Sequence, residues 1–240
     1  MLSEIFKLFW KTVERKDARR INSQTPPTEI EQFCDIQYID DGLWQHRLDV
    51  YSKSGKLSHR PVIIDIHGGG WMYGTKEINK NYCLVLAQND YVVVNINYRL
   101  APDFSVADQL RDCFSAFKWV STNIEKYGGD LNNVFVTGDS AGGFLAAYSA
   151  LLNSSEKLRK IFGVTESGLE FRACGLTSPV CFMNTHTFQD VYYSRVKGKE
   201  FSESTLRGFE NFDAVLNKGS MPPTFLVTSS GDAVGRLPTI

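Results

Sequence analysis

The stretch that decides the fold is Val134-Phe135-Val136-Thr137-Gly138-Asp139-Ser140-Ala141-Gly142-Gly143. Three β-favouring residues lead into the first glycine and a helix-favouring run follows at 144–152, so the stretch predicts a strand, a tight turn and a helix. Gly138, Ser140 and Gly142 have the G-x-S-x-G spacing of a nucleophile elbow, in which a serine occupies the tip of a strained turn. The two glycines approach each other closely in such a turn, where a Cβ would clash. An ordinary glycine-rich turn without a catalytic role is the alternative interpretation.

A second glycine-rich turn follows an earlier predicted strand. The apolar run at 61–66 ends in His67-Gly68-Gly69-Gly70-Trp71. Consecutive glycines leave their backbone N–H groups bare, and such donors form an oxyanion hole when they lie close to a developing negative charge. A helix that starts at Ala141 would aim its first N–H groups at the same place. We therefore predict an oxyanion hole built from the amides of Gly68, Gly69, Gly70 and Ala141.

A third segment, Tyr98-Arg99-Leu100-Ala101-Pro102, lies between these two turns. The pattern that the three segments form extends over roughly residues 36–232. The set of H-G-G-G, Y-R-L-A-P and G-D-S-A-G-G segments resembles the hormone-sensitive-lipase-like carboxylesterases of the α/β-hydrolase fold. The resemblance implies an α/β fold with a mostly parallel, doubly wound sheet. Predicted strands and helices also alternate along the chain, which indicates a parallel sheet covered on both faces.

The elements themselves follow from apolar periodicity. Helices are predicted at 3–20, 76–89 and 105–127, and strands at 61–66, 91–97, 133–138, 171–177 and 224–228. Two alternating runs, 35–40 and 45–51, predict a hairpin. The residues expected to face the core from the second helix are Tyr82, Val85 and Leu86. Those expected on the surface are His46, His59 and the polar segment 153–168.

We predict that the chain is organised in two parts. Residues 1–30 form an N-terminal lid helix and linker, and residues 31–240 form the α/β-hydrolase domain, with a second lid segment inserted at about 178–220. Both lid assignments are implied by the resemblance. For the N-terminal helix the alternative is a membrane-surface helix, because aromatic and basic residues mix along it. For the insertion the alternative is a pair of packing helices without substrate contact.

The resemblance implies a serine triad in the chain order serine, acid, histidine. Ser140 is the predicted nucleophile, and Asp232, which follows the predicted strand 224–228, is the predicted acid. No histidine follows Asp232 in the 240 residues. We therefore expect that the last strand and helices of the fold are missing along with the histidine loop, and that the chain as given turns over esters poorly. His186 is the candidate substitute base, although it breaks the expected order.

Residues beside these motifs have supporting roles in this interpretation. The resemblance implies that His67 holds the shape of the glycine loop. Trp71 and Met72 border that loop and are candidate residues of the substrate pocket. We expect Asp139 to support the elbow structurally and Arg99 to anchor its own loop electrostatically.

Composition excludes several classes of function. The net charge is −1 and no long basic run occurs, so we expect no nucleic-acid partner. The sequence shows no metal-ligand cluster, P-loop or dinucleotide fingerprint, so no metal or cofactor is expected. The five cysteines are scattered, which favours buried free thiols in a reducing compartment. Without an apolar run of membrane-spanning length or a signal peptide, we expect a cytoplasmic protein with no stable membrane insertion.

The function predicted from the sequence is hydrolysis of short-chain acyl esters by a serine carboxylesterase, with small-molecule esters as partners. Two alternatives remain open. One is a non-catalytic ligand-binding protein on the same fold, and the other is a small-amide hydrolase of the formamidase type. We also expect self-association, as a homo-dimer or otherwise, through the apolar strand 224–228 at the sheet edge.

Overall fold

The fold is a seven-stranded sheet with helices on both faces. A computed structural model describes residues 2–55, 59–183, 189–203 and 206–229. The strands are β1 (Ile30–Gln37), β2 (Arg47–Lys53), β3 (Arg60–Ile66), β4 (Val92–Ile96), β5 (Gly129–Asp139), β6 (Phe171–Thr177) and β7 (Thr224–Val227). They lie in the order β1-β2-β4-β3-β5-β6-β7. The β1–β2 and β2–β4 pairs are antiparallel and all other pairs are parallel, which confirms the mostly parallel sheet.

Seven helices are described. They are α1 (Leu2–Asn22), α2 (Lys80–Gln88), α3 (Val106–Asn123), α4 (Ser140–Ser154), α5 (Glu156–Phe162), α6 (Gln189–Glu203) and α7 (Phe212–Leu216). The helix α3 begins with a capping box, in which Ser105 and Asp108 each satisfy the other's backbone N–H. It passes into a 3-10 turn at Ile124–Tyr127 and stops at Gly128, which has a φ of 84°. Of the described helices, none is long and apolar enough to cross a membrane.

Alternate residues of the central strands supply two apolar clusters. Val92, Val94 and Ile96 of β4 belong to the larger cluster, together with buried residues of α3 and α4. Val93 belongs to a smaller cluster with Leu84 of α2. Since successive side chains of a strand point to opposite faces, the sheet is covered on both sides. The doubly wound architecture expected from the sequence is confirmed.

Several burial expectations need correction. The helix α2 turns Cys83, Leu84 and Ala87 inward, whereas Tyr82 and Val85 are 50% and 46% exposed. In this short helix apolar residues lie on all sides, and the small Cys83 and Ala87 let the backbone approach the sheet. Leu86 is only partly buried against this cluster.

The segment 153–168, expected to be polar surface, contains the helix α5. Leu158 and Phe162 are buried along it, four residues apart on one helical face. The Ser155 side chain accepts a hydrogen bond from the Leu158 N–H at the start of the helix, and Gly163 ends it with a φ of 65°. Ser155 and Gly163 are common capping residues, so the sequence could have predicted both ends of this helix.

His46 and Cys34 also depart from expectation, while His59 is exposed as predicted. His46 is buried, because two acidic side chains satisfy its ring nitrogens. All five cysteines are free, as expected, but Cys34 is exposed where a buried thiol was predicted.

Strand β7 forms an apolar edge of the described sheet. Phe225, Leu226 and Val227 are 73%, 41% and 45% exposed, and β6 is the one described neighbour of the strand. A flat apolar edge of this kind recruits the edges of other molecules. The exposed edge predicted from the sequence is present.

We expect the purified chain to self-associate through β7, and the substitution Phe225→Lys to reduce the association. A charge on the edge must be desolvated before a second strand can pair with it. Light scattering over a concentration series measures the change, with Leu43→Lys as the control at an exposed apolar site between β1 and β2, at the opposite end of the sheet. A monodisperse monomer at high concentration for the unaltered chain would contradict the prediction.

Candidate active site

Ser140 lies at the junction between β5 and α4, in a left-handed backbone conformation. Its φ is 50°, which a residue other than glycine adopts only where the surrounding structure requires it. A Cβ at Gly138 would overlap the backbone of Gly142. A Cβ at Gly142 would overlap the carbonyls of Ile66 and His67. The turn therefore has the close approaches of a nucleophile elbow, and the elbow packs directly against the end of β3.

The glycine loop, which we define as residues 67–74, lies beside this elbow. Strands β3 and β5 pair in parallel, with Ile66 opposite Gly138, so the two strands end at the same level. The loop then turns through left-handed conformations at Gly69, Gly70 and Trp71, with φ values of 117°, 57° and 63°. The sheet register thus brings together the two motifs that the sequence placed about seventy residues apart.

The four predicted oxyanion donors are not equivalent. The Gly68 N–H is donated to the Asp139 carboxylate at 3.0 Å, so this amide is already used. Within the described part of the chain, no hydrogen bond is found for the N–H of Gly69 or Gly70. Ala141 occupies the first turn of α4, where backbone N–H groups lack partners inside the helix. Gly69, Gly70 and Ala141 therefore fit the donor role better than Gly68 does.

His67 is fixed as a support of the glycine loop. Its Nδ1 donates to the Gly68 carbonyl at 2.7 Å, its own carbonyl accepts from the Tyr98 hydroxyl at 2.7 Å, and the two rings stack 4.4 Å apart. Burial lowers the pKa of His67 to about 4, against the opposing influence of the Gly68 carbonyl and Asp139. The ring is therefore neutral at physiological pH.

One amide joins two carboxylates below the elbow. The Asn79 side chain donates to Asp65 Oδ2 at 3.0 Å and to Asp139 Oδ1 at 2.9 Å, and we call this group the carboxylate–amide bridge. Asp65 is buried, and burial raises the pKa of its carboxyl to about 7. Neither Asp65 nor Asn79 was singled out in the sequence. A charged residue inside the apolar run of β3 was the feature that could have indicated Asp65.

A cavity of about 390 Å³ opens above Ser140. Its lining comes from α1, the glycine loop, the start of α2 and the elbow: Trp10, Val13, Asp17, Arg20, Gly68, Gly69, Gly70, Tyr73, Ile78, Asn79, Asp139 and Ser140. The Trp10 ring stacks on Tyr73 at 5.2 Å, and the Tyr73 hydroxyl donates to Asp17 at 3.3 Å. From α6, the Tyr192 hydroxyl donates to the Gly70 carbonyl. Both segments predicted to be lids therefore contact the glycine loop.

Comparison with known proteins supplies the family. The BD-FAE family model matches residues 48–194, more than half of the chain. The chain belongs to the BD-FAE family. The resemblance to the hormone-sensitive-lipase-like carboxylesterases is confirmed with it.

Relatives of this BD-FAE protein include proteins named as esterases. It is 28% identical over 198 residues to an isoprenylcysteine alpha-carbonyl methylesterase of Arabidopsis thaliana, covering 78% of this chain and 46% of that one. It is 34% identical over 145 residues to carboxylesterase NlhH of Mycobacterium tuberculosis, covering 58% and 45%. The solved structure of esterase B from Lactobacillus rhamnosis, inhibited by a tributyrin phosphonate, matches with a TM-score of 0.90 at 30% identity, covering 97% of this chain and 75% of that one. The BD-FAE chain thus spans less than half the length of these two curated relatives.

The predicted pocket residues Trp71 and Met72 do not line the described cavity, and two further predicted residues lie outside the described part of the chain. Trp71 is buried in the core, edge-on to Phe144 at 5.4 Å, and its carbonyl accepts from Gln109 at 2.9 Å. Neither Trp71 nor Met72 is among the described residues that line the cavity, where Trp10 and Tyr73 supply the aromatic surface instead. Asp232 and His186 lie outside the described residues.

The Y-R-L-A-P loop is anchored by a buried ion pair, as expected for Arg99. Its guanidinium donates to Asp112 Oδ1 at 2.7 Å and to Oδ2 at 2.9 Å. His46 approaches Asp112 Oδ1 at 3.2 Å through Nε2 and Asp41 Oδ2 at 2.6 Å through Nδ1. Burial acts to lower the pKa of His46, but the hydrogen bonds and charges of Asp112 and Asp41 outweigh it and raise that pKa above its ordinary value.

This network makes the stability of the BD-FAE protein depend on pH. Because the pKa of His46 is raised on folding, its contribution is complete below the unfolded value of about 6.5 and is lost as pH rises through the folded pKa. We expect His46→Gln to lower the free energy of unfolding more at pH 6 than at pH 9. Urea titrations at both pH values test this, with His59→Gln as the exposed control. An equal loss at the two pH values would contradict the assignment.

Proposed function

We propose that the chain supplies the nucleophile, the oxyanion donors and the acid of a serine carboxylesterase that acts on short-chain acyl esters. The observation that carries the proposal is the strained Ser140, which shares one cavity with the glycine loop. Ser178 also has a positive φ, of 43°, but it is not among the described residues that line this cavity. Ser140 combines the left-handed conformation with the tip of a G-x-S-x-G elbow, where that conformation presents the hydroxyl. The esterases among its relatives support the same chemistry.

The proposed roles follow the geometry. Ser140 Oγ attacks the ester carbonyl carbon, and its proton passes to a base as the new bond forms. The N–H groups of Gly69, Gly70 and Ala141 stabilise the negative charge on the carbonyl oxygen. Collapse of this intermediate releases the alcohol and leaves an acyl-serine, which water hydrolyses. In this proposal Gly68 serves the loop through Asp139, and does not bind the oxyanion directly.

The acid and the base complete the proposed mechanism. Asp232 is the proposed acid, on the basis of its place after β7 and of the family resemblance. Its partner would be a histidine, and the 240 residues contain none beyond Asp232. The proposal therefore assigns the base to no residue of these 240.

The proposal also assigns the two segments that contact the glycine loop beside the cavity. We propose that residues 1–30 act as a lid and linker, that residues 31–240 form the hydrolase domain, and that a second lid segment lies at about 178–220. The contacts of Trp10 and Tyr192 with the glycine loop support this division. A cytoplasmic location is proposed from the five free thiols, and self-association through the β7 edge from its exposed apolar residues.

We expect a fluorophosphonate probe to label Ser140, and to do so slowly in these 240 residues because the proposal assigns none of them as the base. The phosphorus is attacked by the serine oxygen as an ester carbonyl would be, so labelling reports the nucleophile without requiring turnover. Peptide mapping locates the label, and Ser140→Ala should abolish it, while Ser149→Ala, a buried serine of the same helix, should not. Label on another residue with Ser140 untouched would overturn the proposal. A ligand-binding protein without catalysis would leave every serine unlabelled.

We expect the labelling rate to peak for phosphonates with short acyl-like chains of about two to six carbons, because the Trp10 and Tyr73 rings line a cavity of about 390 Å³ above Ser140. A related esterase B has been captured with a tributyrin phosphonate. A series of phosphonates of increasing chain length measures the preference. Fastest labelling by the longest chains would refute it.

A further inference from the structure

The glycine loop is tied to the elbow at both of its ends. Asp65 precedes the loop on β3, and Asn79 follows it at the start of α2. The carboxylate–amide bridge connects both residues to Asp139, the residue directly before Ser140. Asp139 Oδ1 accepts from the Gly68 N–H as well. The Asp139 carboxylate therefore binds Gly68 and Asn79 directly, and it is connected to Asp65 through Asn79.

The chemistry of the bridge suits an amide and few other side chains. A carboxamide has two N–H donors, which separate in direction and so reach two acceptors at once. Here each of the two acceptors is a carboxyl group, and both lie in or near the protein interior. Without a donor between them the two groups would repel each other or lose hydrogen bonds, which is costly for buried polar atoms.

The position of Asn79 connects this bridge to the cavity. Asn79 lines the cavity together with Ser140 and Asp139, whereas Asp65 does not reach it. A shift of Asn79 would move Asp139, and with it the Gly68 N–H that fixes the glycine loop. Preorganised donors are effective only when they are held at the place where charge develops.

We propose that Asn79 is a positioning residue of the active site, which sets the distance between the glycine loop and the elbow by bridging Asp65 and Asp139. The inference rests on the proposed function. Asn79 touches no reacting atom in this role. It holds the amides of Gly69 and Gly70 in register with that of Ala141 through Asp139 and Gly68.

The experiment breaks the bridge from each side in the full 240-residue chain. Asn79→Leu removes both donors at nearly constant volume. Asp65→Leu and Asp65→Asn both remove a charge outside the cavity, but only the asparagine substitution keeps a side-chain oxygen that accepts from Asn79. Asn89→Leu is the matched control, because Asn89 is exposed at the other end of α2 and, among the described residues, its side chain donates only to the Val85 carbonyl. Thermal melting confirms that each variant folds.

Two measurements are made on each protein: the fluorophosphonate labelling rate at Ser140 and the amide hydrogen exchange of the peptide 67–74. We expect Asn79→Leu to slow labelling about tenfold or more relative to Asn89→Leu, since small misplacements of positioning groups have effects of this order. Exchange in the peptide 67–74 should become faster, while peptides of α3 stay unchanged. Asp65→Leu should show both effects more strongly than Asp65→Asn, a difference that loss of charge alone does not produce.

The outcomes separate the inference from the proposed function. Equal labelling and equal exchange in Asn79→Leu and Asn89→Leu would overturn the role of Asn79. If the Asn79 variant does not fold, equal values for the two Asp65 variants overturn it instead. If Ser140 is not labelled even in the unaltered chain, the proposed function fails. In that case, faster exchange of the peptide 67–74 in the Asn79 variant would still support the conclusion that the carboxylate–amide bridge holds the glycine loop in place. Unchanged exchange would overturn that conclusion.

Discussion

The site depends on one pairing, the parallel register of β3 with β5. Ile66 lies opposite Gly138, and both strands end at this level. Gly142 then packs so closely on the Ile66 and His67 carbonyls that no larger residue fits. A shift of one residue in this register would separate the glycine loop from Ser140 and turn every buried side chain of β3 to the opposite face.

Local patterns account for what could be predicted from the sequence. The strained turn at Ser140 and the left-handed Gly69 and Gly70 are properties of short segments, and the glycine spacing specifies them. The central strands are buried on both faces and therefore appear as continuous apolar runs, such as Val92–Ile96. Most boundaries of the predicted strands follow from these features, whereas the strand order of the sheet comes from the structure.

Contacts between distant segments account for what could not be predicted. Trp10 and Tyr73 stack above the cavity although they lie far apart in the chain, and no local pattern distinguishes them from core aromatics. The bridge through Asn79 joins three elements, so its residues look ordinary in isolation. His46 is buried because Asp112, far away in sequence, reaches its ring. In each case tertiary packing, rather than propensity, places the side chain.

The helix α1 lines the cavity through Trp10, Val13, Asp17 and Arg20, and none of its described side chains belongs to the core clusters. None of its described side chains, from Leu8 to Asn22, is fully buried, and hydrogen bonds such as Arg20 to the Ile78 carbonyl hold it in place. Lifting the segment from Leu8 to Asn22 exposes no fully buried side chain of that segment, so we expect it to cost less free energy than unfolding the domain and to respond weakly to denaturant. If residues 1–30 act as the proposed lid, we expect the entrance of the cavity to open in a sub-global transition while the sheet, the elbow and the glycine loop remain folded.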